Sequence, residues 1–220
     1  MTAIPTEQAV KIALSAARIG TYEAATAAAP VLTGALALYS WNAQVSAAML
    51  APLHLCEVVI RNAVSDALTA VYGAQWPWER AFETSLPSPP NGFNPRIELR
   101  KSRTSAPTTG KVIPELKFVF WQKMFTGRFD ARIWEPHLRS VLPYLDPSKN
   151  VQQLRRVIYD DLEQLRGLRN RIAHHEPIFR RTLSNDFQKI HALIALRCPI
   201  TAAWMIANQQ ALSLINTRPP

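Results

Sequence analysis

The sequence predicts an all-α protein, and three observations support this fold class. Ala is abundant while only 7 of the 220 residues are Gly, a composition that suits helices. Apolar residues recur at spacings of three and four along most of the chain, and no strong period-two run or hairpin signal appears. Hydrophobic residues make up 48% of the chain, enough for a core without metals or disulfides. We therefore expect one helical domain over residues 1–220.

The first half of the chain predicts three helices. Apolar residues at helical spacing predict helices over 6–19 and about 21–29, within an N-terminal extension of residues 1–30. A longer helical pattern runs over 32–71 and ends at Gly73. Pro52 either kinks this helix or marks the start of a new one. Glu57 occupies a position in the apolar stripe of this helix where Leu is expected.

The second half begins with a loop-rich basic insertion over 86–110. Two stretches in it, 86–95 and 104–110, are too rich in Pro, Gly, Ser and Thr for a helix, and a short basic helix is expected between them. The remaining apolar patterns predict five helices, over 111–126, 129–142, 148–175, 183–196 and 200–214.

Composition also bears on location and cofactors. No stretch approaches about 18 uninterrupted apolar residues, and no basic segment followed by an apolar one opens the chain, so we expect a soluble, cytoplasmic protein with no membrane partner. Cys56 and Cys198 are too few and too far apart for a disulfide framework or a zinc site. Because neither a Gly-rich phosphate loop nor a metal-ligand cluster occurs, we expect no cofactor and no metal.

The net charge of +9 is concentrated in the middle of the chain. Residues 1–95 carry a net charge of −2, residues 96–181 carry +9 and residues 182–220 carry +2. A segment with this excess attracts polyanions such as RNA or DNA, because neutralising phosphates releases condensed counterions. The alternative is an ordinary solvated basic surface.

The predicted helix over 148–175 ends in a group of residues that can carry out phosphodiester chemistry. Arg169 keeps its charge and can hold phosphoryl oxygens while negative charge builds in the transition state. Asn170 can orient the phosphate or the histidine. His174 titrates near neutrality, so it can take a proton from a ribose 2′-hydroxyl or give one to a leaving oxygen. Such a site needs no metal.

The spacing limits how these residues can cooperate. Five residues along a straight helix turn the side-chain direction by about 140°, so Arg169 and His174 do not share a face. They converge only if Arg169 reaches around the helix, if the last turn distorts, or if a second copy of the chain supplies the missing half across a two-fold axis. We favour the dimer. The structural alternative is that Arg169 pairs with a carboxylate while His174 and His175 only close the helix.

The sequence around these residues, Leu168-Arg-Asn-Arg-Ile-Ala-His-His-Glu-Pro-Ile178, resembles the signature of the HEPN superfamily of ribonucleases, and specifically its abortive-infection (Abi-like) branch. The resemblance spans about residues 38–210. Three other stretches agree with that branch: 57–63, 110–121 ahead of Trp134, and 190–204. Val119 departs from it, since the family has Gly there, and the first 30 residues have no counterpart.

This resemblance implies a HEPN-like helical bundle with additional N-terminal and C-terminal helices. It implies a dimeric, metal-independent endoribonuclease that leaves 2′,3′-cyclic phosphate and 5′-hydroxyl ends, acting as a toxin or in phage defence and held in check by a small RNA or a protein antitoxin. Arg169, Asn170 and His174 match the catalytic motif. We expect supporting roles for Glu57, which should pair with Arg61 or fix Arg169, and for His175.

The same reading assigns RNA contacts to basic residues of the central segment, namely Arg100, Lys101, Arg103, Arg166 and Arg171. A second hypothesis is a catalytically silent protein that binds RNA or assembles on the same scaffold. The intact Arg169, Asn170 and His174 favour the enzyme.

Overall fold

The computed structural model describes residues 4–27 and 29–220, and this part of the chain is helical without a β-strand, which confirms the all-α class. Residues 1–3 and Ala28, which fall in the predicted N-terminal extension and the predicted helix over 21–29, lie outside the described residues. The α-helices of the described chain are α1 (Thr6–Leu14), α2 (Ala16–Glu23), α3 (Val31–Tyr72), α4 (Arg80–Ser85), α5 (Pro95–Ser105), α6 (Thr109–Glu115), α7 (Phe118–Met124), α8 (Glu135–Val141), α9 (Val151–Ala173), α10 (Leu183–Arg197), α11 (Pro199–Ala207) and α12 (Ala211–Asn216).

The long helix α3 is the centre of the fold. Its 42 residues span about 63 Å at 1.5 Å per residue, and it packs against α2, α7, α8, α9, α10 and α12. The helix continues through Pro52, so the alternative that a new helix begins there is wrong. Gly73 ends it with a φ of 86°, as predicted, because glycine adopts this conformation without steric cost.

The buried stripe of α3 differs from the predicted stripe of Leu50, Leu53, Glu57, Ile60, Val64, Leu68 and Val71 in that Leu50 is exposed and Glu57 and Val71 are half-buried. Cys56 lies in the core, while the neighbouring Glu57 is only half-buried at the edge of the stripe. The difference arises because a step from Leu53 to the next buried position can be three or four residues in a helix of 3.6 residues per turn. Glu57 is therefore not a carboxylate forced into the core.

Length and composition alone would allow α3 to cross a membrane, since an 18-residue window of it has a mean hydropathy of 1.5. One third of that window is buried inside the protein. Core helices of soluble proteins also meet this criterion of length and hydropathy, because a helix that is covered by neighbours is apolar on several faces.

Three predicted helices are interrupted. The predicted helix over 6–19 breaks at Ser15, whose hydroxyl accepts a hydrogen bond from the Arg18 N–H (3.3 Å) and so begins α2. The predicted helix over 111–126 breaks after Glu115, where the chain is extended and the Leu116 carbonyl accepts from Trp121 Nε1 (3.2 Å). The predicted helix over 200–214 becomes α11 and α12. Apolar spacing does not show these breaks, because the apolar pattern continues across each of them.

A buried polar contact joins α3 to the segment that follows α9. Asn42 is 6% exposed, and its Oδ1 accepts from the backbone N–H groups of Ile178 (2.8 Å) and Phe179 (3.2 Å). Both N–H groups are buried, so without this acceptor they would lack a partner. The contact fixes the chain just beyond the residues predicted to be catalytic.

Replacing Asn42 by Ala should therefore lower the free energy of unfolding by about 1–3 kcal/mol, because two buried donors lose their acceptor. Urea unfolding measures this loss. The matched control is Asn62→Ala, on an exposed position of the same helix, for which a change within about 0.5 kcal/mol is expected. Equal effects at the two positions would contradict the role given to Asn42.

Candidate active site

The helix α9 carries the predicted motif and begins with a capping box. The Asn150 side chain accepts from the Gln153 N–H (2.9 Å), and the Gln153 side chain accepts from the Asn150 N–H (3.1 Å). The apolar stripe that the spacing predicts from Val151 to Ile172 is buried at Leu154, Ile158, Leu162, Leu165, Leu168 and Ile172, whereas Val151 is half-buried. The polar edge beside this stripe is therefore held in a fixed direction.

The helix ends in a left-handed turn at His175. This residue has a φ of 55°, a conformation in which glycine is usual at the end of a helix. The His175 N–H donates to the Ile172 carbonyl (3.0 Å), and the Glu176 N–H donates to the Arg171 carbonyl (2.8 Å). This is the Schellman hydrogen-bond pattern, and it satisfies the last carbonyls of α9.

Two arginines, one from α2 and one from α9, donate hydrogen bonds to carbonyl groups of this turn. Arg18 of α2 donates to the His175 carbonyl (2.8 Å), and Arg171 donates to the Pro177 carbonyl (3.1 Å). Arg171 also pairs with Glu176 at 3.5 Å. Arg171, predicted to contact RNA, thus spends part of its hydrogen-bonding capacity on the turn.

A polar cleft of about 380 Å³ opens beside the last turns of α9. The residues that line it come from α3, from α9 and from the connection between α6 and α7: Glu57, Pro114, Glu115, Leu116, Lys117, Phe118, Val119, Arg166, Arg169 and Asn170. Three residues that the sequence placed in one site, Glu57, Arg169 and Asn170, therefore do share a cleft.

Arg169 is the cation of this cleft that is free to bind an anion. Its side chain is exposed, and it forms no ion pair and no hydrogen bond with any residue of the described ranges 4–27 and 29–220. The neighbouring Asn170 side chain is likewise without a protein partner there, although its backbone carbonyl accepts from the His174 N–H (2.9 Å). A guanidinium and an amide therefore face the cleft with their donors available.

Arg166 is held in the cleft by a chain of contacts that the sequence did not reveal. The fully buried Gln122 of α7 donates to Glu163, and Glu163 pairs with Arg166. Burial raises the pKa of Glu163, but hydrogen bonds from Arg166 and Gln122 and the nearby positive charges outweigh burial and hold the pKa below its ordinary value. The ionised carboxylate keeps Arg166 in place.

Lys117 is a further cation of the cleft that sequence reasoning missed. Its Nζ pairs with Glu98 of α5 at 3.1 Å, and its backbone N–H donates to the other Glu98 oxygen at 3.3 Å. Glu98 is nearly buried and so fixes the cleft wall between α6 and α7. No periodicity could have indicated this contact, because Glu98 lies in α5 and Lys117 in the connection between α6 and α7.

The two histidines lie outside this cleft. His174 follows the last residue of α9, and its imidazole is exposed and without a partner in the described chain. His175 lines a second cleft on another side of the same turn, beside Arg18 and Glu176. Within one protomer, the structure therefore brings Arg169 and Asn170 together in the cleft and leaves His174 out of its lining.

Glu57 does not form the ion pairs expected for it in the described part of the chain. Glu57 forms no ion pair there, either with Arg61 or with Arg169, and Arg61 Nε is buried without a hydrogen-bond partner. Burial, and then the carboxylates of Glu57 and Asp161, raise the pKa of the Cys56 thiol. Glu57 thus contributes negative charge close to the cleft.

The other residues predicted to contact RNA lie on α5, where two of them are tied to one carboxylate. Arg100 and Arg103 both bind Glu83 of α4, at 2.5 Å each. Arg103 also donates to the Pro77 carbonyl (3.0 Å). Lys101 is exposed and unpaired in the described residues. Lys101 is therefore the member of this group whose charge is fully available.

Trp121 and Trp134, for which the sequence alone allows either stacking on bases or a place in the core, are fully buried in the core. A glycine inside a helix, such as Gly167 of α9, can indicate close helix packing. An added Cβ there would meet no atom within 4 Å, so close packing within the protomer does not explain this glycine. Among the residues that the structure describes, no three His, Cys, Asp or Glu side chains are grouped so that they could hold a metal ion.

Comparison of the chain with protein-family models, with curated proteins and with solved structures gives no match.

Replacing His175 by Gly should raise the free energy of unfolding by about 0.5–1 kcal/mol. The left-handed conformation has a steric cost for a residue with a Cβ atom, and glycine avoids this cost. Chemical denaturation measures the change. The control is Ala173→Gly, two residues earlier inside the helix, which should lower stability by a similar amount. A destabilising His175→Gly substitution would show that the imidazole makes contacts worth more than the backbone strain.

Acid should weaken the link between α4 and α5. The hydrogen bond from Arg100 first, and then that from Arg103 with the two positive charges, lower the pKa of Glu83 although burial opposes them. A lowered folded-state pKa stabilises the protein above the ordinary value of 4.5, and the stabilisation is lost as the pH falls through the folded pKa. Urea unfolding between pH 7 and pH 3 should therefore show a steeper loss for the wild type than for Glu83→Gln.

The control for this measurement is Glu115→Gln, at an exposed carboxylate without an ion pair in the described chain. Its pH dependence should match that of the wild type. Parallel curves for wild type and Glu83→Gln would contradict the assignment.

Proposed function

We propose that the protein is a metal-independent endoribonuclease of the HEPN type, acting in the cytoplasm as a toxin or phage-defence effector. The observation that carries the proposal is that Arg169 and Asn170 line the same polar cleft. Both side chains are without protein partners in the described residues. A buried structural arginine would instead be paired, as Arg155 is with Asp130. The resemblance of residues 168–178 to the HEPN motif supports the same conclusion.

The proposed reaction is an internal displacement at phosphorus. The ribose 2′-oxygen attacks the adjacent phosphorus, the 2′-hydroxyl proton passes to a base, and the bond from phosphorus to the 5′-oxygen breaks while that oxygen is protonated. Arg169 binds the non-bridging oxygens, which carry the growing negative charge, and Asn170 orients the phosphate. His174 exchanges a proton with one of the two ribose oxygens. The products are a 2′,3′-cyclic phosphate and a 5′-hydroxyl.

The proposed active unit is a homodimer. The exposed position of His174 outside the cleft that holds Arg169 agrees with the rotation of about 140° between them. A two-fold axis near the end of α9 would bring His174 of one protomer to Arg169 of the other, because such an interface uses the same patch twice. We propose that an antitoxin, a small RNA or a protein, restrains this dimer in the cell.

One observation favours the second hypothesis, a silent RNA-binding protein. A single protomer already presents cations in the polar cleft, namely Lys117, Arg166 and Arg169, whereas it places no histidine there. Such a cleft can bind phosphate without cutting RNA. The two hypotheses therefore differ in whether RNA is cut and whether cutting depends on His174.

Purified protein incubated with total RNA in EDTA should cut the RNA and leave 5′-hydroxyl ends, which end-group analysis detects. Removing the proton-transfer group in His174→Ala should reduce the rate by about 100-fold or more, and Arg169→Ala should do the same by removing the anion contact. Expression of the wild type, but not of either variant, should arrest growth.

The matched controls are His137→Ala on α8 and Arg156→Ala on the exposed face of α9, which lie outside the cleft and should retain full activity. A requirement for magnesium, 5′-phosphate products, or full activity in His174→Ala would contradict the mechanism. RNA that is bound but uncut, with binding weakened only by Arg169→Ala, would favour the silent protein.

A further inference from the structure

A second cleft, of about 270 Å³, lies beside the same terminal turn of α9. It is formed by α2, α3 and the turn, and its lining residues are Arg18, Tyr22, Tyr39, Asn42, Ala43, Ser46, Ala47, Leu50, Ile172, His175 and Glu176. The N-terminal extension supplies the wall that carries Arg18 and Tyr22. The cleft therefore depends on the N-terminal extension, which has no role in the proposed cleavage of RNA.

Aromatic rings form one side of this cleft. Tyr22 and Tyr39 meet edge to face with ring centroids 5.0 Å apart, and Tyr22 also contacts Phe179 at 5.1 Å. Tyr22 is 1% exposed, and burial, with the nearby Tyr39, raises the pKa of its hydroxyl despite the opposing effect of Arg18. Tyr39 is only half-buried, so it offers ring surface to a ligand.

The floor of the cleft offers space and hydrogen bonds along one face of α3. Ala43 and Ala47 are exposed and leave room above the helix. Next to Ala43 in the lining, Asn42 uses Oδ1 to accept from the backbone N–H groups of 178 and 179, but its Nδ2 has no acceptor in the described residues. The Ser46 hydroxyl is unpaired there as well.

The residues that line the cleft include the cation Arg18. Arg18 binds the His175 carbonyl through one terminal nitrogen (2.8 Å), which leaves other donors of its guanidinium for an anion. His175 lines the same cleft. Glu176, the carboxylate of the lining, is paired with Arg171 at 3.5 Å. Aromatic rings, unpaired hydrogen-bonding groups and a cation match the base and phosphate of a nucleotide.

We propose that this cleft binds one unpaired nucleotide of the RNA, next to the phosphodiester that is cut. The base lies against Tyr39 and hydrogen-bonds to Asn42 and Ser46, while Arg18 and His175 contact the phosphate. His174 and His175 are consecutive, with Cα atoms about 3.8 Å apart, so one strand can reach both. This assignment rests on the proposed function, and it makes α2 and α3 the determinants of which unpaired base is accepted.

The test is the binding of the four nucleoside 5′-monophosphates to the protein, measured by isothermal titration calorimetry without RNA. We expect at least one of them to bind to the wild type. Ala47→Leu fills the space above α3 from an exposed position and should weaken that binding by about tenfold or more, as should Tyr39→Leu, which removes the stacking surface.

The control is Tyr144→Leu, at a tyrosine that is 61% exposed and remote from the lining of both clefts. It should bind the nucleotide like the wild type. Because Ala47 is exposed, its substitution tests the cleft even where Tyr39→Leu affects folding.

The proposal is overturned if no monophosphate binds or if Ala47→Leu leaves the Kd unchanged. Nucleotide binding that Ala47→Leu weakens, in a protein that cuts no RNA, would support the nucleotide site and reject the ribonuclease. RNA cleavage without such binding would retain the ribonuclease and reject the site.

Discussion

The arrangement of both clefts depends on how α9 ends. The helix must stop between Ala173 and Pro177, and it does so in a left-handed turn at His175, a residue that carries a steric cost there. Arg18, Arg171 and Asn42 offset that cost by satisfying backbone groups at and just after the turn. A turn supported from three elements is rigid, and rigidity is what a site needs to hold reacting groups in position.

This turn divides the polar residues between two sides of the protein. Arg169 and Asn170 face a cleft with mixed charge, in which Lys117 and Arg166 are held by carboxylates and Arg169 is not. His175 faces a cleft with aromatic residues. His174, between them in the sequence, lines neither cleft and is exposed to solvent. In the proposed account, an RNA strand crosses this turn, and a second protomer completes the group of residues that reacts with it.

The sequence predicted what depends on periodicity and on neighbours within one helix. The helical class, the buried stripe of α9, its end near His174 and the burial of Trp121 and Trp134 all follow from spacing and from Pro177. The sequence did not predict contacts between distant elements. The chain from Gln122 through Glu163 to Arg166, the bond from Arg18 to His175 and the role of Asn42 depend on tertiary packing, which residue spacing does not encode. Apolar spacing also could not decide whether Cys56 or Glu57 follows Leu53 in the buried stripe, and the prediction of Glu57 was wrong.

The most direct test of the account mixes two inactive variants, Arg169→Ala and His174→Ala, after partial unfolding and refolding so that protomers exchange. If each active site takes its arginine from one protomer and its histidine from the other, mixed dimers keep intact pairs and the mixture should regain about a quarter of wild-type RNA cleavage in EDTA. A mixture that forms mixed dimers yet stays inactive would contradict the composite site on which the proposed mechanism depends.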